Sequence, residues 1–117
     1  MKIGISILED QPAEAENLKS NLYQWSSQTN YELEISEYRS GEDFFKQNDR
    51  TAYHSFSVFF LDIQMHEMSG LDVAKKLRKE GYQGPIIFLT AFREYVFHGY
   101  EVHAMNYLLK PVKQEPL

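Results

Sequence analysis

The sequence predicts an α/β fold built on a doubly wound, five-stranded parallel sheet, and three observations predict it. Short apolar runs alternate along the chain with stretches of helical periodicity, the pattern of strands joined by helical crossovers. The runs at 58–61 (VFFL) and 86–89 (IIFL) lack polar alternation, as expected of central strands buried on both faces. The 117 residues suffice for one domain with a real core and are too few for two.

Taken in order, residues 3–8 read as a first strand, and Pro12 suits the first turn of the helix that follows. Ala15, Leu18, Leu22 and Trp25 give that helix one apolar stripe, and the polar run at 26–30 closes it. Residues 32–38 read as an edge strand wet on one side, with Leu33 and Ile35 alternating and Tyr38 out of phase. Ser40 and Asp43 resemble a capping box that opens a short helix around Phe44 and Phe45, and 47–55 reads as polar loop. After the central strand, Ser69 is an N-cap with Asp72 three residues on. Val73, Ala74 and Leu77 form the buried stripe of that third helix, and Gly81 and Gly84-Pro85 stop it. A fourth strand (85–90), a helix weak in pattern and crossed by Gly99 (92–100) and a fifth strand (106–110) complete the chain. Right-handed crossovers then give a flavodoxin-like sheet in the order 2-1-3-4-5, with helices on both faces. Only residues 112–117 follow Pro111, so residues 1–117 are expected to be a domain truncated before its final helix. Its uncovered apolar face is expected to favour a homodimer, or exchange of a strand or helix.

A net charge of −5 argues against a nucleic-acid surface here, since phosphate neutralisation needs clustered Lys and Arg; any DNA contact is expected through another domain. The absence of cysteine removes disulfides, thiolate chemistry and Cys-ligated zinc, and suits a reducing cytoplasm. The opening apolar run is too short for a secretion signal or a membrane span. Four histidines, His54, His66, His98 and His103, show no i, i+4 metal spacing.

The carboxyl ends of the strands carry the chemistry, because ligands of open α/β sheets bind outside them. Strand one delivers Glu9 and Asp10, strand three Asp62, strand four Thr90 and strand five Lys110. Taken singly, Glu9-Asp10 is a solvated turn, Thr90 an N-cap and Lys110 an exposed strand end. Together they share one edge of one sheet and complement one another in charge. Three crowded carboxylates repel unless a cation neutralises them, and a hard ion such as Mg²⁺ suits the set; the same oxygens admit Ca²⁺. Asp62 is then the candidate nucleophile toward a phosphoryl group, with Lys110 and the metal offsetting charge and Thr90 donating a hydroxyl. No Gly-rich loop follows strand one, against a P-loop or dinucleotide site.

The motifs ILED, FFLDIQM followed by Gly70, IIFLTA and YLLKP, in this order and at these separations, resemble the receiver domain of bacterial two-component response regulators. Residues 90–112 are most similar to receivers with a LytTR-type DNA-binding output. The resemblance implies that Asp62 accepts phosphate from a sensor histidine kinase, and that Glu9, Asp10, Asp62 and the carbonyl of Gln64 hold Mg²⁺. It implies that Thr90 and Lys110 bind the phosphoryl group, that Tyr107 is a switch aromatic turning inward as Thr90 moves, and that Lys110-Pro111 is a cis peptide. Two departures stand out: Glu9 where many members have Asp, and His66 where the family usually has Pro. The leading expectation is a phosphorylation-controlled signalling switch, not an enzyme, driving an output domain outside this sequence. The alternative is a pseudo-receiver, an interaction module without phosphotransfer. A third class, an Asp-nucleophile phosphohydrolase, usually has a second acid two residues on, where this chain has Gln64.

Overall fold

In the computed structural model, which describes residues 2–65, 67–90 and 106–109, five parallel strands form one sheet in the order β2-β1-β3-β4-β5. The elements are β1 (Lys2–Leu8), α1 (Pro12–Ser26), β2 (Glu32–Tyr38), α2 (Gly41–Gln47), β3 (Val58–Asp62), α3 (Gly70–Lys79), β4 (Ile86–Thr90) and β5 (Asn106–Leu109). The predicted order and strands are therefore observed. The expected helix over 92–100, His66, Lys110, Pro111 and the question of a final helix lie outside the described residues.

Alternation along the strands sorts the core onto two faces. Ile5 and Ile7 of β1 pack with Leu18 and Leu22 of α1 and with Phe60 and Leu89 on one face. Leu8, Phe59, Leu61 and Phe88 pack with Phe44 of α2 and Val73, Ala74 and Leu77 of α3 on the other. Tyr38 is out of phase with Leu33 and Ile35 for the same reason: those two join the α1 face, while Tyr38 packs edge-on against Phe44 on the opposite face.

The helix ends follow local chemistry. Pro12 opens α1, as expected. Ser40 Oγ accepts the Asp43 N–H at the start of α2, one arm of the box anticipated there. At α3 both arms form: Ser69 Oγ accepts the Asp72 N–H at 3.2 Å, and Asp72 Oδ2 accepts the Ser69 N–H at 3.1 Å. Gly81, at φ 102°, ends α3 in a left-handed cap. The Tyr82 N–H reaches back to the Leu77 carbonyl and the Gly81 N–H to that of Arg78, so two orphan carbonyls are satisfied.

Two expectations need correction. Trp25 completes the α1 stripe in sequence but remains 38% exposed, stacked on Tyr31 at 5.8 Å, whereas Asn21 is buried and donates to the Asn17 carbonyl. Residues 47–55 are not simply polar loop. A 3₁₀ helix spans Arg50–Ser55, started by Asp49 Oδ1, which accepts the N–H groups of Thr51 and Ala52, and it buries Tyr53.

Two buried tyrosines predict an alkaline limit. The Tyr82 hydroxyl donates to the Phe56 carbonyl at 3.1 Å, and burial pushes its pKa up to about 12. Burial also raises Tyr53, and so does the hydrogen bond its hydroxyl donates to Glu80 Oε1 at 2.6 Å. An unfolded tyrosine ionises near pH ~10. Both folded pKa values lie above that, so this stability is complete below pH ~10 and is lost as pH rises through the folded values. Urea midpoints should hold from about pH 8 to about pH 10 and then fall; a midpoint unchanged at about pH 11.5 would contradict the assignment.

Candidate functional site

The ends of β1 and β3 meet at the carboxyl edge of the sheet. β1 runs into Glu9 and Asp10, and β3 ends on Asp62, whose backbone is in register with Leu89 of β4. The parallel pairing of Leu8 with Leu61 sets the two strand ends side by side, which is why acids distant in sequence meet. One carboxylate oxygen from each of Glu9, Asp10 and Asp62 lies within 4.8 Å of the others. Glu9 and Asp62 are only 1% and 3% exposed, so these charges are largely withdrawn from water.

Backbone donors hold two of the acids. Glu9 Oε1 accepts the Gln11 N–H and Asp62 Oδ1 the Gln64 N–H, each at 3.3 Å. Asp10 Oδ1 is buried with no hydrogen-bond partner among the described residues. An orphaned buried carboxylate oxygen facing two further acids fits a hard divalent cation, which takes an oxygen-rich shell and whose two positive charges would offset most of the three negative ones.

Of the other expected site residues, Thr90 ends β4, one position beyond the partner of Asp62, and pairs in register with Leu109 of β5. Tyr107 lies within β5, opposite Phe88. Gln64 is an exposed residue of the loop after β3. Lys110 follows β5 and lies outside the described residues. The structure thus brings Glu9, Asp10 and Asp62 together and places Thr90 at the same sheet edge.

Sequence reading noted Gly70 only as part of a motif, and the structure gives it a contact. A Cβ at Gly70 would overlap the Asp62 carbonyl oxygen and stand 3.0 Å from Ile63 Cα, so the start of α3 closes directly on the main chain of Asp62. Its signal in the sequence was a glycine at the first turn of the helix following the acid. The loop between β3 and α3 also contains Glu67 at φ 62°, a left-handed backbone for a non-glycine residue. The loop touches α2 as well: the Glu42 carboxylate is held below its usual range, first by its own backbone N–H and further by that of Met68, against the opposing effect of desolvation.

The family model for the response regulator receiver domain matches residues 5–117. The transcriptional regulatory protein BtsR of Salmonella typhi is 38% identical over 117 residues, covering 98% of this chain and 45% of BtsR. The sensory transduction protein LytT of Bacillus subtilis is 36% identical over 87 residues, covering 74% of this chain and 35% of LytT. Among solved structures, the response regulator TrrA of Thermotoga maritima in complex with Mg(2+)-BeF matches with a TM-score of 0.69 at 28% identity, covering 92% of this chain and 86% of TrrA. The chain spans less than half the length of these two curated relatives.

Proposed function

The chain belongs to the response regulator receiver domains of two-component systems, and on that premise we propose that Asp62 is its phosphoacceptor, charged by a sensor histidine kinase in a Mg²⁺-dependent reaction. The observation that carries this reading is the meeting of the Glu9, Asp10 and Asp62 carboxylates within 4.8 Å, with a buried Asp10 oxygen that has no hydrogen-bond partner among the described residues. Asp62 attacks the phosphorus of the kinase phosphohistidine. The new O–P bond forms as the P–N bond breaks, and the leaving imidazole takes up a proton. Glu9, Asp10, Asp62 and the Gln64 carbonyl would hold the ion, which when bound supplies charge neutralisation for the phosphoryl oxygens. The Mg(2+)-BeF complex of TrrA supports this choice of metal.

The same reading gives Thr90 and Lys110 contacts to the phosphoryl oxygens and makes Thr90 with Tyr107 the switch pair. It confines the chemistry to the domain's own phosphorylation and dephosphorylation, a signalling role and not an enzyme's. The extra length of BtsR and its name as a transcriptional regulator support an output domain beyond residues 1–117, through which alone DNA is contacted. A homodimer and a cytoplasmic location belong to this reading. Among the described residues no helix is long and apolar enough to cross a membrane.

Incubation with acetyl phosphate tests it. The expected product is a single base-labile phosphoryl adduct by intact mass, formed with Mg²⁺ and absent with a chelator. No adduct at saturating Mg²⁺ would return the chain to a phosphorylation-independent interaction module.

A further inference from the structure

We infer that the first turn of α2, through Gly41, is a positioning element for Asp62; the inference rests on the phosphoacceptor reading above. Gly41 is buried, and a Cβ there would stand 2.6 Å from Val73 Cγ2 and 2.9 Å from Met68 Sδ. Met68 belongs to a flexible side chain that can yield. Val73 cannot: it is fully buried, and a β-branched residue in a helix has essentially one χ1 rotamer. The absence of a side chain at Gly41 therefore lets α2 close directly on the first turn of α3.

Gly70, three residues before Val73 and so on the adjoining face of that same turn, abuts the main chain of Asp62 and Ile63, and its N–H donates to the Ile63 carbonyl at 3.0 Å. Two close contacts, Gly41 on Val73 and Gly70 on Asp62, follow one another across a single helical turn. Close-packed interiors transmit displacement where no compressible side chain intervenes. A methyl group at Gly41 thus shifts the start of α3 and, with it, the backbone that aims the Asp62 carboxylate at Glu9 and Asp10. The Ser40 cap, accepting the Asp43 N–H at 3.0 Å, fixes the α2 end of this path.

The test compares wild type, Gly41→Ala, Val73→Ala and the double variant by Mg²⁺ calorimetry, adduct formation from acetyl phosphate and urea unfolding. Gly41→Ala is expected to bind Mg²⁺ about tenfold more weakly and to label slowly at subsaturating Mg²⁺. In the double variant the lost Val73 methyls remove the overlap, and Mg²⁺ affinity should return to within about twofold of Val73→Ala alone. A Gly41→Ala protein that is less stable yet binds Mg²⁺ as wild type does would overturn the inference, as would a double variant no better than Gly41→Ala. If Gly41→Ala does not fold, Val73→Ile enlarges the other partner of the contact and should weaken Mg²⁺ binding in the same direction; wild-type affinity there overturns the inference. Wild type that neither binds Mg²⁺ nor labels overturns the phosphoacceptor reading itself, so the wild-type arm separates the two failures.

Discussion

Asp62→Asn is expected to abolish labelling by a small phosphodonor and to bind Mg²⁺ at least about tenfold more weakly. The strand end should survive the change, because the pairing of residue 62 with Leu89 and the Ile63 N–H to Leu89 carbonyl bond (3.1 Å) are main-chain contacts. What disappears is the nucleophilic oxygen and one of three converging charges. Two unit charges within 4.8 Å of one another repel by at least about 3 kcal/mol at an effective dielectric near 20, and relaxation and screening reduce that to on the order of 1 kcal/mol. In Mg²⁺-free buffer the variant should therefore melt above wild type. At the same high Mg²⁺ concentration the tighter binder gains more stability, because the gain grows with the logarithm of [Mg²⁺]/Kd, so the gap should close or reverse. Label retained on the intact variant would move the acceptor to another residue. A variant that melts below wild type without Mg²⁺ would show that the Asp62 charge is already compensated in the metal-free domain.

Much of this arrangement was legible in the sequence because its causes are local. Unalternated runs bounded by Gly, Pro and Asp gave β3 and β4, and the Ser69 cap with Asp72 gave the start of α3. Parallel topology then forces Glu9, Asp10 and Asp62 to one edge, so the acid cluster followed from strand order without any knowledge of side-chain geometry. Features that depend on what lies beneath an element were not legible. Periodicity gave the face of Trp25 but not the extent of the surface under it, so a stripe residue proved 38% exposed. Tyr53 was hidden among Arg50, Thr51 and His54; its burial depends on Phe44 and on the Glu80 carboxylate, 27 residues away. The contacts of Gly41 and Gly70 likewise arise only when two helices and a strand end are brought together.

Phe44→Ala is expected to destabilise the domain by about 3–5 kcal/mol, a large share of the roughly 5–15 kcal/mol that holds such a domain folded. Phe44 is fully buried and lies at the centre of the aromatic cluster on the α2–α3 face. Its ring meets Tyr38 at 5.0 Å, Phe45 at 5.1 Å, Phe59 at 5.3 Å, Tyr53 at 5.7 Å and Phe56 at 5.9 Å. These partners come from β2, α2, the 3₁₀ helix, the residue ending it and β3, so one side chain ties together segments with little local stability of their own. α2 has only seven residues, too short to persist without tertiary packing. Truncation leaves a cavity that rigid rings cannot collapse to fill, which places the cost near the upper part of the range. Phe44→Leu keeps most of the volume and loses the edge-to-face contacts with Tyr38, Phe45 and Phe59, so about 1–2 kcal/mol is expected for it. Urea titrations of the two variants separate burial from ring geometry. A cost for Phe44→Ala below about 1.5 kcal/mol would mean that the cluster repacks around the gap, and that α2 is held chiefly by its contact with α3.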